Sequence, residues 1–274
     1  MKNIVSDVKK TLAFLGEMKR GKTNLFATGF FVRIEGIFHL VTAKHVVINR
    51  RTGRINDKEM KVFCSSKERG LYVTPVRDLK KKFGINWVFH KNKEVDIAII
   101  PFALDPQKAD FKVIPDEIFL PIDKLFELYD VFFLSYQPGI ESHEKICPIF
   151  RSGTISIINE DGTYYIDAPA FPGNSGSPVF VKPSPITFTE KGYAIGKDEI
   201  GGKFIGIIGE YIPYTEVARS DQTGLPRVIF EENSGLSKVW SVSFINEVIK
   251  SDRFNIQLEI VKKIAEKEEY NAQR

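Results

Sequence analysis

Short apolar runs, rich in β-branched and aromatic residues and separated by charged or glycine-containing turns, dominate the chain. TLAFLG, FATGFFVRI, IFHLVTA, MKVFCSS, NWVFHK and VDIAIIPF read as strands, because such side chains pack well on a pleated, half-buried surface. A second series follows: DVFFLSYQ, RSGTISII, TYYIDA, SPVFV and FIGIIGEYI. Between the two lies DPQKADFKVIPDEIFLPIDKL, whose prolines mark a connector. Two sets of about six strands joined by one crossover predict an all-β protein, built as two small antiparallel barrels or one large sandwich. VSFINEVIKSDRFNIQLEIVKKIAEKEEY shifts to helical spacing and predicts a helix packed on the outside with a frayed, charged end. TEVARSDQTGLPR reads as an insertion that either covers a cleft or forms a solvated hairpin.

Composition narrows the function classes. The 274 residues are 43% apolar and 27% charged, the balance of an ordinary globular protein with ample material for a core. No stretch approaches the roughly 20 apolar residues that span a bilayer, so no membrane partner is expected. The N-terminal segment lacks a continuous apolar h-region and a small-residue cleavage site, which makes a cytoplasmic location the expectation. A net charge of +4, with acids interspersed throughout, gives no basic face for nucleic acid. The locally basic KKTLAFLGEMKRGK and DLKKKFG read as solvated faces. Cys64 and Cys147 lack metal-ligand spacing and read as free thiols. The four histidines form no HExxH and no His/Cys cluster, so neither a metal nor another cofactor is expected.

Chemistry concentrates in PGNSGSPVF, residues 172–180. These are turn residues for ordinary steric reasons, and they surround one hydroxyl, Ser175. A serine nucleophile needs a base within hydrogen-bond reach, a group orienting that base, and donors for the oxyanion. His45, in LVTAKHVV, follows an apolar strand at the start of a turn. His39 alternates along that strand and should face solvent or a neighbouring strand, while His90 and His143 sit in polar loops. A lone histidine is more often structural than catalytic. Asp96, in EVDIAIIPF, opens an apolar run, a costly place for a carboxylate without a hydrogen-bond partner; exposed at a strand start, it would be idle. The order His45, Asp96, Ser175 puts the first two in the first strand set and the serine in the second, where a cleft between two barrels would unite them. The GxSxG elbow of the α/β-hydrolases is absent, because Ser177 follows Gly176.

FATGFFV, LVTAKHVV, EVDIAII, YDVFFLSYQPG, SGTISII, YIDAPAFPGNSGSPVF and FIGII together resemble the trypsin-like serine proteases of the chymotrypsin fold. The likeness is greatest to the bacterial branch that holds the Deg-type and glutamyl endopeptidases. The resemblance implies two six-stranded antiparallel β-barrels with a C-terminal helix: a first barrel over 1–105, a connector over 106–127, a second barrel over 128–244, and a helix with a charged tail over 245–274. It implies His45 as general base, Asp96 as its orienting carboxylate, Ser175 as nucleophile, and the N–H groups of Gly173 and Ser175 as the oxyanion hole. The substrate would be a polypeptide. Gly209, Glu210 and Tyr211 would stand near the primary pocket, with Glu210 favouring a basic side chain or Tyr211 narrowing the space. Pro169 and Ala170 provide no charged pocket floor. Two features depart from relatives. Asn174 stands where the digestive and clotting enzymes have an Asp that pairs with a new N-terminal amine, so that mode of zymogen activation is not expected. The stretch after residue 245 is too short for a PDZ domain. The competing expectation on the same fold is a binding or sensor module, with a triad that is silent or waits for a partner in defence or viral processing.

Overall fold

A computed structural model of the chain describes residues 4–140, 145–189, 192–196 and 198–272. After a short helix, α1 (Ile4–Lys9), come strands β1 (Leu12–Lys19), β2 (Lys22–Ile34) and β3 (Ile37–Thr42), a single helical turn α2 (Lys44–Val47), and strands β4 (Lys61–Ser66) and β5 (Leu71–Pro75). Helix α3 (Val76–Phe83) precedes β6 (Val88–Phe89), β7 (Ala98–Pro101), β8 (Ala109–Asp110) and β9 (Ile114–Pro115). The second half contains β10 (Asp130–Ser135), β11 (Ile149–Ile158), β12 (Thr163–Asp167), β13 (Pro178–Val181), β14 (Ile186–Thr189), β15 (Gly192–Ile195), β16 (Phe204–Arg219) and β17 (Pro226–Ser241). Helices α4 (Val242–Ile249) and α5 (Asp252–Ala272) close the chain.

The second half contains the expected six-stranded antiparallel barrel, closed in the order β10-β11-β12-β17-β16-β13. The first half is a nine-stranded sheet along the open path β5-β4-β1-β2-β3-β7-β6, with β8 on β4 and β9 on β2. The extra strands have a local cause. Two of them, β8 and β9, are two-residue pairings contributed by the predicted connector, too short to leave a period in the sequence, and β9 runs parallel to β2. The hairpins β1–β2 and β2–β3 turn through Arg20-Gly21 and Glu35-Gly36, all at positive φ. Such two-residue turns match the twist of the flanking strands.

Three large apolar clusters, with a small fourth in which Phe14 and Phe63 meet Tyr136, hold the halves. Leu15, Phe31, Leu40, Val62, Trp87 and Ile100 fill the first sheet. Val131, Phe133, Tyr164, Ile166, Ile205 and Val239 fill the barrel. The third cluster joins them: Phe30, Val41 and Ile99 from the first half meet Leu134, Phe180, Phe204 and Trp240 from the second. The C-terminal segment differs from its expectation in two ways. It forms two helices, broken at Lys250-Ser251, where the Ser251 hydroxyl accepts from the Phe254 N–H at 3.4 Å as a helix cap does. It also joins the core, since Val242, Ile245, Val248, Phe254 and Leu258 are buried in the joining cluster. The basic DLKKKFG likewise lies in an amphipathic helix, α3, with Val76, Leu79 and Phe83 buried and Lys80 paired to Asp57 at 3.0 Å.

His39 does not face solvent. It is fully buried on β3, stacked on Phe254 of α5 at 4.9 Å, and its Nδ1–H donates to the Ile37 carbonyl at 3.1 Å. Burial lowers its pKa to about 4 from the ordinary 6.5. An unfolded chain takes up that proton near 6.5 while the folded one resists until about 4. The contribution to stability is therefore complete above the unfolded value and lost as pH falls through this window. His39→Phe, which keeps a ring against Phe254, should remove about 2 kcal/mol of the stability lost between pH 7 and pH 5. Urea melts of the two proteins at both pH values measure this; parallel losses would show that residue 39 does not control the dependence.

His90 is also tied down: its Nε2–H donates to the Glu247 carboxylate at 2.9 Å, and its Nδ1 accepts from the Asn92 N–H at 3.0 Å. His143 lies outside the described residues. Cys64 and Cys147 are free, and burial raises the Cys64 thiol to about 12. No described helix is long and apolar enough to cross a membrane.

Candidate functional site

The stretch LVTAKHVV runs from strand into a single helical turn. β3 ends at Thr42, Ala43 stays extended (φ −70°, ψ 140°), and α2 presents His45. Asp96 sits just before β7, between buried Val95 and Ile97, and grips His45 twice. Its Oδ2 accepts from the ring Nδ1–H at 2.6 Å, and its Oδ1 accepts from the His45 backbone N–H at 2.8 Å. Its own carbonyl takes the Lys44 N–H at 3.2 Å. The Lys44 ammonium in turn donates to the carbonyls of Lys93 and Val95, which fastens the Asp96 loop to α2. The carboxylate thus has the hydrogen bonds that its place at the mouth of an apolar run demands.

Ser175 comes from the other half, on the loop between β12 and β13. Gly173 (φ +98°) and Gly176 (φ +83°) take conformations that L side chains rarely adopt. At Gly176 space is equally restrictive: a Cβ would lie 2.3 Å from the Thr28 carbonyl oxygen and 2.4 Å from Thr42 Oγ1. Thr28, on β2, is the clasp between the halves. Its N–H donates to the Ser175 carbonyl at 3.2 Å, its hydroxyl donates to the Gly173 carbonyl at 2.8 Å, and that hydroxyl accepts the Tyr136 N–H at 2.9 Å. Asn174 is fully buried and staples the loop from below. Its Nδ2 donates to the Tyr136 carbonyl at 2.7 Å and its Oδ1 accepts the Phe171 N–H at 2.9 Å. Those two bonds require an amide, which accounts for Asn rather than Asp at this place. Among the described residues the N–H groups of Gly173 and Ser175 donate to nothing.

His45 and Ser175 line one cleft of about 380 Å³, together with Arg50, Ala170, Phe171, Pro172, Ile208, Gly209, Glu210, Tyr211 and Pro213. The structure joins His45 to Asp96 directly and places Ser175 across the same cleft. The serine hydroxyl makes no hydrogen bond among the described residues. Gly209, Glu210 and Tyr211 are all on the cleft wall. A Cβ on Gly209 would meet Trp240 Nε1 at 2.6 Å, so glycine lets the strand lie against the indole. Tyr211 leans toward β17, donating to Glu231 at 2.7 Å, and this bond raises its phenol pKa. Glu210 and Arg50 are exposed, with no ion pair among the described residues.

Thr28, Arg50, Phe171 and Arg151 have roles here that no sequence pattern signals. Arg151 stacks on the Phe171 ring at 4.8 Å and donates to Gln137 at 2.7 Å, bracing the loop ahead of Ser175. Thr28 lies within FATGFFV, but the bonds its hydroxyl and N–H make to Gly173, Tyr136 and Ser175 all cross to residues more than a hundred positions away. No group of three His, Cys, Asp or Glu among the described residues could hold a metal.

A family model described as a trypsin-like peptidase domain matches residues 27–182, more than half of the chain and a span that includes His45, Asp96 and Ser175. No curated protein sequence matches it. Among solved structures, the fold is similar to that of the serine endoprotease from Yersinia pestis, with a TM-score of 0.51 at 14% identity. That superposition covers 92% of this chain, which spans 65% of the length of the Yersinia chain.

Proposed function

Because the chain belongs to the trypsin-like peptidases, we propose that it is a serine endopeptidase that cleaves polypeptides through an acyl-enzyme intermediate. In this reading Nε2 of His45 takes the Ser175 proton as the hydroxyl attacks the scissile carbonyl. Asp96 keeps the proton of the resting imidazole on Nδ1, leaving Nε2 free to accept, and steadies the imidazolium that forms. The free N–H groups of Gly173 and Ser175 receive the oxyanion, an interaction worth about 10²–10³ in turnover per donor. His45 then returns its proton to the leaving amine, and water attacks the ester by the same route. The observation that carries the proposal is the double grip of Asp96 on His45 beside a cleft that also holds Ser175.

The test is a fluorophosphonate probe, which reacts only with an activated serine. Wild type should be labelled stoichiometrically and Ser175→Ala not at all. One observation favours a second reading: the Ser175 hydroxyl has no hydrogen bond to the imidazole in the described structure. Catalytic bonds often tighten only around substrate, whereas a sensor module with a silent triad would leave the folded wild type unlabelled. A peptide-library profile then reads specificity, which in this cleft is set between one carboxylate, Glu210, and one guanidinium, Arg50.

A further inference from the structure

A second cavity, of about 640 Å³, opens where the two halves meet and shares no lining residue with the cleft that holds His45 and Ser175. Its floor is the outer face of the barrel. β10 sets Phe132 opposite Ser152 of β11 on one side and opposite Phe180 of β13 on the other, so all three point the same way. Their neighbours on β10, Val131 and Phe133, point inward and fill the barrel. The Phe132 ring lies 5.9 Å from that of Phe150 and stacks on that of Phe180 at 5.3 Å. Val5 and Val8 of α1, with Ile114 and Ile118 of the connector, form the wall over this floor. Val5 and Phe150 remain exposed although both line the cavity. Apolar surface of this kind, concave and still in water, marks a place where an apolar ligand gains by displacing solvent.

The charges around this cavity are mostly of one sign. Lys112 on the connector and Lys182 just past β13 line it, and Lys9 of α1 holds its ammonium 5.4 Å above the Phe150 ring. Arg151 lines it too, but its guanidinium is already engaged by Gln137 and Phe171. Asp7 is the one carboxylate among the described lining residues. Lys9, Lys112 and Lys182 make no ion pair among the described residues. Aromatic rings beneath unpaired ammonium groups suit a hydrocarbon chain that ends in an anion: the chain covers the rings, and the head takes the ammonium groups as partners. We propose that this cavity binds the anion of a long-chain fatty acid, one molecule at a time. Its volume of about 640 Å³ falls within the roughly 300–1,000 Å³ of pockets that bury small molecules. Because α1 and the connector stand opposite the barrel, a single chain can enter between them, whereas a bilayer surface cannot. Binding here uses no residue of the His45–Ser175 cleft, so the proposal stands apart from the peptidase reading.

Isothermal titration calorimetry of the full chain with laurate, myristate and palmitate, each below its micellar concentration, tests this. Binding should be one to one and should tighten about fourfold per buried CH₂, so on the order of tenfold for each step of two carbons until the cavity is full. Dodecyltrimethylammonium, with a comparable tail and the opposite charge, should bind at least about tenfold more weakly than laurate. Lys112 and Lys182 are exposed, so Lys112→Glu combined with Lys182→Glu should keep the fold, weaken all three acids by about tenfold or more, and leave the chain-length steps in place. Ser152→Trp, which sets a bulky ring on the floor from an exposed position, should abolish binding, with thermal melts to show that the protein is folded. Failure of all three acids to bind, or affinities indifferent to the head-group charge and to both variants, overturns the proposal. So does binding only to vesicles of an anionic phospholipid, which would make this face a membrane contact. A dimer in sedimentation that takes up no acid and dissociates on Ser152→Trp also overturns it, and would assign the cavity to a second copy of the chain.

Discussion

Asp96→Asn should lower kcat/KM on the order of 10⁴-fold while leaving the fold unchanged. The two bonds that Asp96 makes dictate the outcome. Its Oδ1 accepts the His45 backbone N–H, and an asparagine must keep an oxygen there to satisfy that donor. The amide NH₂ is then forced to face Nδ1 of the ring, where a carboxylate oxygen now accepts at 2.6 Å. Facing a donor, Nδ1 must give up its proton, and the imidazole carries it on Nε2 instead. That tautomer cannot take a proton from Ser175. Thermal melts and probe-labelling rates with wild type as reference measure both halves of the expectation. A loss below tenfold with an intact fold would mean that another group orients His45.

Gly176→Ala should damage stability and turnover together. The residue sits at φ +83°, which costs a non-glycine residue about 1–2 kcal/mol before any contact is considered. Its Cβ would enter the 2.3 Å gap to the Thr28 carbonyl, which is backbone and cannot rotate away. Relief requires parting the two halves where Thr28 also holds the Ser175 and Gly173 carbonyls. Unfolding free energy should fall by about 2–4 kcal/mol, the range of other strained or overpacked core substitutions. The oxyanion amides should move with the loop, at a further cost of about 10²–10³ in kcat. Denaturant melts and burst kinetics separate the two effects. Wild-type values in both would show that the close approach of the halves does not hold the loop.

The candidate site was legible in the sequence to an unusual degree, because its chemistry is carried by local motifs. The glycines at 173 and 176 mark a loop needing positive φ, and that need is met by residue type alone. Asp96 stood out because a carboxylate opening an apolar run must find donors, and it found two on His45. The barrel of the second half was readable for a similar reason: its strands contain β-branched and aromatic runs bounded by turn residues, although β16 and β17 extend to sixteen residues each. The nine-stranded first half was less so. A two-residue strand such as β8 is defined by what lies beside it, here β4, and not by any period of its own.

Other misreadings share one cause. Strand alternation left His39 facing either solvent or a neighbouring strand, but the face it occupies is covered by Phe254 of a helix, more than two hundred residues later in the chain. The C-terminal segment was recognisable as helical, yet its periodicity could not reveal that its apolar side joins the two halves. Thr28 gave no signal, since its importance lies in three hydrogen bonds to the opposite half.

By itself, then, the amino-acid order determined the strand-rich class, the triad candidates and the glycines their loop requires, because each depends on backbone preference or on the chemistry of a few neighbouring residues. Only the tertiary structure decided that His45 and Ser175 share a cleft, that Asn174 and Thr28 brace the loop between them, and that the last hairpin leaves the barrel as an arm. Those facts depend on which surfaces meet, and contacts between distant segments are set by the packing of the whole core, which no local pattern encodes.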